Sequence, residues 1–106
     1  MSVSDDKAFS TKIARNIAVV KFGSLWDAAC RALEQPFKAL SEEFAGRALF
    51  IESDVNGNPE LAASYGVRAI PTVLIVADGK VVSRVTGSVS KSYLREKIKK
   101  ALKLEL

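Results

Sequence analysis

A chain of 106 residues, 48% hydrophobic and 26% charged, has the profile of one globular domain spanning 1–106. It holds no histidine and a single cysteine, Cys30, which excludes Ser-His-Asp and Cys-His catalysis, an internal disulfide and a zinc cage. The net charge is +4, and much of the excess gathers in the C-terminal run KSYLREKIKKALK.

Met1–Ser4 reads as a short edge strand and Ser4–Arg15 as a first helix. Ser4 or Asp5 is the N-cap, and Ala8, Phe9, Ile13 and Ala14 form the apolar stripe. The opening MSVSDDKAF has no apolar core of a leader peptide, so none is expected. Ile17–Gly23, IAVVKFG, is apolar and β-branched, the pattern of a strand buried on both faces. Lys21 interrupts it. A lysine there must pair, give up its charge or snorkel, and Asp27 and Glu52 are its candidate partners.

Asp27–Ala45 predicts a long helix, because Ala29, Cys30, Leu33, Phe37, Leu40 and Phe44 recur at threes and fours. Pro36 removes one internal hydrogen bond and is expected to kink it, and Gly46 is the stop signal. Arg47–Ser53 is the next strand. Turn residues follow at Asn56-Gly57, and Pro59 opens a short helix to about Tyr65, closed by Gly66. The runs on either side of Ala77-Asp78-Gly79-Lys80 predict a β-hairpin. Ser90 caps a final helix running to about Leu102, with Leu94, Ile98, Ala101 and Leu102 on its inner face and lysines outside.

The order is (β)αβαβαββα. It implies an α/β fold with a mixed central sheet of four to five strands and about four flanking helices. The basic terminal helix lacks interleaved aromatics and matches no nucleic-acid module, so no nucleic acid is expected. No apolar run approaches a membrane span, so no membrane is expected either. One unpaired cysteine suits a reducing compartment, hence a cytoplasmic or nuclear location.

The chemistry-bearing stretch is Trp26-Asp27-Ala28-Ala29-Cys30, at a strand-to-helix turn. Asp27 is placed to cap the helix through the N–H of Ala29 or Cys30. Cys30 is then the third helical residue, on the inward face with Leu33 and Phe37. A neighbouring carboxylate raises a thiol pKa, so a strong nucleophile is not expected there. Gly23 in the turn reads as a backbone requirement.

Three stretches in order carry a family resemblance over nearly the whole chain. They are KFGSLW followed by four residues ending in Cys30, DVNGNPELAASYGVRAIPT, and ADGKVVSRVTGSVSKSYL. Together they resemble the thioredoxin family, and the resemblance implies the thioredoxin fold. Thioredoxins carry Trp-Cys-Gly-Pro-Cys. Here Asp27 stands at the first cysteine, Ala28-Ala29 replace Gly-Pro, Lys21 stands at a buried acid, and the helix proline is shifted by one to Pro36. The pattern resembles most the N-terminal thioredoxin-like domain of PICOT-type multidomain monothiol glutaredoxins, which keep Trp-x-x-x-Cys.

That resemblance implies a cis Ile70–Pro71 bond facing the turn. It also implies a surface of Trp26, Asp27, Ala28, Ala29, Ile70, Pro71 and Thr72 that binds protein clients by strand addition. It implies a role in redox and iron–sulfur homeostasis, either within a parent protein that carries a glutaredoxin domain downstream or as a stand-alone relative. No cofactor or metal is expected in this chain. Two readings of function follow. One is a binding domain without the dithiol site. The other is a monothiol redox protein in which Cys30, as the catalytic residue, forms a mixed disulfide with glutathione or a client. A third, purely architectural reading docks another chain on the basic terminal helix.

Overall fold

The computed structural model describes residues 17–104. The edge strand expected at Met1–Ser4 and the helix expected at Ser4–Arg15 lie outside the described residues. The elements are β1 (Ile17–Gly23), α1 (Ala28–Glu43), β2 (Leu49–Asp54), α2 (Pro59–Ser64), β3 (Thr72–Ala77), β4 (Lys80–Thr86) and α3 (Lys91–Leu104). Four strands and three helices among the described residues compare with the expected four to five and about four.

The sheet order is β2-β1-β3-β4. β1 runs parallel to β2, through the α1 crossover, and antiparallel to β3, which pairs antiparallel with β4. All seven residues of β1 are buried, as a central strand covered on both faces requires. Alternation along the strands sorts the core into two sets. Ile17, Val19, Phe50, Val73 and Ile75 pack with Leu33, Phe37 and Leu40 of α1, with Phe44 just past its end, and with Leu94 and Ile98 of α3. Ala18, Val20, Phe22, Ile51, Leu74 and Val76 pack on the other face with Leu61 and Ala62 of α2. Each large side chain so buried stabilises the fold by about 1.5–3 kcal/mol.

The local chemistry sets the boundaries. Asp78 and Gly79 both take positive φ, 50° and 81°, as a two-residue hairpin of the primed type demands. α1 starts after Asp27 and passes through Pro36 without a break. It ends at Glu43, two residues short of the expected Ala45, because Phe44 already turns out of helical geometry at φ −103°, ψ 17°. Gly46 follows with φ 84° and completes the reversal. β2 begins at Leu49, two residues after the predicted Arg47. Arg47 and Ala48 donate their N–H groups to the Phe44 carbonyl, and so finish the helix instead of pairing with β1.

Lys21 resolves the question the sequence posed. Its Nζ lies 2.7 Å from Glu52 Oε1, and Glu52 is its register partner on β2. The ammonium also sits 5.1 Å from the Phe37 ring centroid. Asp27, the other candidate partner, is engaged elsewhere.

Candidate functional site

β1 ends at Gly23, and the chain crosses from sheet to helix through residues 24–27. Asp27 has extended geometry at φ −89°, ψ 128°, the conformation of an N-cap. Its Oδ1 accepts from the Cys30 N–H at 3.0 Å. Its own N–H donates to the Ser24 carbonyl at 3.3 Å. The Cys30 N–H, above all, holds the Asp27 carboxyl below the usual carboxylate range, helped by Ala29 and Arg31. The predicted cap is therefore formed, with Cys30 as the main donor.

Cys30 is 4% exposed and faces inward with Leu33 and Phe37. Burial pushes its thiol up from the ordinary value, and the Asp27 carboxylate adds to the rise. The Ser24 N–H, 3.4 Å from Sγ, and the charge of Lys21 act the other way. The rise prevails, so at neutral pH the group is a thiol. The position where a dithiol enzyme needs its attacking sulfur holds a carboxylate, and the sulfur that remains is buried and protonated.

Gly23 has a sharper role than the sequence suggested. A Cβ built on it would lie 3.1 Å from Cys30 Sγ. The glycine thus makes room for the thiol.

The front of the turn is the opposite of its interior. Trp26 is 87% exposed and Leu25 is 73% exposed, so two large apolar side chains stand side by side in solvent. Ala28 is exposed and Ala29 half-buried. Sequence reasoning missed Leu25, because its neighbours in the chain gave no sign of which way it points. It also missed Asn56, whose Nδ2 donates to Ser24 Oγ at 3.2 Å and ties the loop after β2 to this turn. The same Ser24 hydroxyl accepts from the Trp26 N–H at 3.3 Å.

The Pro71 loop emerges at the same end of the sheet. Thr72 is the register partner of Phe22, one residue before Gly23. The Ile70–Pro71 peptide is cis, as the resemblance implied. Thr72 is buried, and its Oγ1 donates to the Ala69 carbonyl at 2.7 Å. The Pro71 carbonyl accepts from the Gly87 N–H at 2.8 Å. Of the three residues expected to bind here, Pro71 and Thr72 are buried and Ile70 is half-buried, while Arg68 and Ala69 just before them are exposed.

Behind the turn, a groove of about 540 Å³ lies between α1 and β2. Lys21, Cys30, Glu34, Phe37, Lys38 and Glu52 are among its walls. Among the described residues there is no cluster of three or more His, Cys, Asp or Glu able to hold a metal ion. No helix there is long and apolar enough to cross a membrane.

Comparison with known proteins agrees with this geometry. The family model for thioredoxin matches residues 1–100. The chain is 35% identical over 95 residues to a thioredoxin of Chlorobaculum thiosulfatiphilum, covering 88% of each chain. It is 32% identical over 97 residues to a Staphylococcus aureus thioredoxin, covering 92% of this chain and 93% of that one. Among solved structures, thioredoxin from Trypanosoma brucei brucei superposes with a TM-score of 0.89 at 25% identity, over 97% of this chain and 90% of that one. A variant thioredoxin from Halobacterium salinarum gives 0.88 at 27% identity, over 96% and 89%. The chain belongs to the thioredoxin family.

Proposed function

We propose that this chain is a single thioredoxin-like domain that recognises protein clients without dithiol exchange, as the N-terminal domain of a PICOT-type monothiol glutaredoxin does. One observation carries the reading. The nucleophile's position is occupied by a helix-capping carboxylate, Asp27, while Cys30 lies 4% exposed behind it. Dithiol exchange needs an attacking thiolate and a second thiol to resolve the mixed disulfide. This chain supplies one sulfur, in the protected place. Exposed Leu25 and Trp26 on the turn, and the cis Ile70–Pro71 loop at the same end of the sheet, support the reading as the surface that would hold the client. An extended peptide laid between them adds a strand through its backbone, and the exposed tryptophan anchors it.

The monothiol reading draws its support from the groove, which reaches Cys30 from behind. Glutathione disulfide would enter there, the Cys30 thiolate would attack one of its sulfurs to form the mixed disulfide, and reduced glutathione would leave. A role in cytoplasmic redox or iron–sulfur homeostasis is part of this proposal, for the chain as a stand-alone protein or as a domain ahead of a glutaredoxin domain.

Insulin separates the readings. The chain is expected to reduce insulin at the rate of the dithiothreitol blank. It is expected to bind isolated insulin B chain, an extended peptide, equally well as Cys30→Ser and poorly as Trp26→Ala. Turnover comparable to a dithiol thioredoxin, or peptide binding lost with Cys30→Ser, overturns the binding-domain reading.

A further inference from the structure

Helix α3 carries six basic residues, Lys91, Arg95, Lys97, Lys99, Lys100 and Lys103, against one acid, Glu96. The helix holds five net positive charges in a chain whose net charge is +4, so everything else together is one unit negative. This charge falls on two flanks of the buried stripe of Leu94, Ile98 and Ala101. On the flank towards α1, Arg95 forks onto Glu43 through Nε and Nη2, with contacts of 2.9 to 3.0 Å. Lys91 and Lys99 also act on that carboxyl. The fold itself therefore sets a carboxylate against this flank.

Among the described residues the other flank has no such counterpart from another element, only Glu96 of the helix itself. Tyr93, Lys97, Lys100 and Lys103 recur at threes and fours and line a shallow concavity of about 660 Å³ with Glu96 and Lys99. Like charges one turn apart on a helix repel by a few tenths of a kcal/mol per pair. Tyr93 is 48% exposed at the head of the row, with the Lys97 ammonium 5.3 Å from its ring centroid.

We propose that this flank of α3 is a docking surface for an acidic segment of a partner protein. Charge complementarity selects an anion. The side chains present select a polypeptide over a nucleic acid. Lys97 already covers the Tyr93 ring, which closes the one aromatic platform a base would stack on. The flank has no arginine fork for a phosphate. Glu96, in the middle of the row, opposes a continuous phosphate backbone but can receive a donor side chain from a peptide. From Tyr93 to Lys103 the helix rises about 15 Å. That is the length of about five extended residues, so a short run of acids spans it.

The test uses a fluorescently labelled deca-glutamate peptide and the whole chain at low ionic strength, read by anisotropy. Lys97→Glu/Lys100→Glu is compared with Lys38→Glu/Lys80→Glu, an equal charge change at exposed lysines elsewhere. The α3 pair is expected to weaken binding about tenfold more than the control pair, and added salt to abolish it. Lys97→Gln/Lys100→Gln, a milder change, is expected to weaken it in the same direction. Absence of binding by the unaltered chain, or equal weakening by both reversal pairs, overturns the proposal. So does tighter binding of an oligothymidylate, or of phosphatidylserine vesicles, at the same salt.

Discussion

Gly23→Ala is the sharpest test of how the site is packed. The new Cβ would meet Cys30 Sγ at 3.1 Å, closer than nearly all real Cβ contacts. The other close atom is Cys30 Cβ at 3.5 Å, which is ordinary contact. The clash therefore lies with one sulfur. Overpacking of this kind costs about 1–3 kcal/mol. Gly23 is not among the residues at positive φ, so alanine fits its backbone, and restricting the unfolded chain returns about 0.4–1 kcal/mol. The net expectation is a loss of about 0–2.6 kcal/mol. With Cys30→Ala the sulfur is gone, the clash disappears and only the gain remains. Gly23→Ala should then be neutral or slightly stabilising in that background. The coupling energy between the two positions is about 1–3 kcal/mol, within the range of residues in direct contact. Urea unfolding of the four proteins measures it, and each kcal/mol corresponds to a Tm shift of about 4–8 °C in a domain near this size. Equal effects of Gly23→Ala with and without the cysteine would refute the reasoning.

Asp27→Ala removes a carboxylate that raises the Cys30 thiol, so the midpoint of Cys30 labelling by a thiol reagent should move to lower pH than in the unaltered chain. Because the folded-state pKa of Asp27 is depressed, its contribution to stability is present above the ordinary carboxylate value and lost as pH falls through the folded one. The same variant should therefore flatten the acid limb of a stability-against-pH curve. Glu52→Ala leaves the Lys21 ammonium without its partner and should cost about 1–3 kcal/mol, whereas Lys21→Met removes the buried charge and should cost less, which chemical denaturation can rank. Ser53 Oγ is buried with no hydrogen-bond partner among the described residues, so Ser53→Ala should raise Tm or leave it unchanged, and a fall in Tm would show that the hydroxyl is satisfied.

What was legible in the sequence was whatever a single segment determines. The apolar periodicity of residues 28–44 located α1 and its inward face, including Cys30, because helical spacing alone decides which side chains share a side. Asp78-Gly79 located the hairpin, because few residues tolerate two successive positive φ values. Asp27 was identifiable as a cap from its place before the first turn. What stayed hidden depends on two segments meeting. The choice of Glu52 over Asp27 as the partner of Lys21 is set by strand register, which places Lys21 opposite Glu52. The need for glycine at position 23 is set by how closely α1 approaches the end of β1. The link from Asn56 to Ser24 spans 32 residues and is formed only once β2 lies beside β1.

The carboxylate of Asp27 explains how a thioredoxin site can lose its chemistry without losing its shape. A helix N-terminus offers unsatisfied N–H groups and a positive dipole end, and it favours an anion there whatever the anion's identity. In a dithiol enzyme a thiolate meets that demand. Here a carboxylate does, through a direct hydrogen bond from the Cys30 N–H. The exchange is not neutral for the remaining sulfur. The same carboxylate, added to burial, holds Cys30 in its protonated form. One substitution therefore removes the attacking group and quiets the group behind it, while Leu25, Trp26 and the Pro71 loop stay outside its reach. The proposed client recognition and the chemistry of Cys30 should therefore be separable by mutation on either side of the turn.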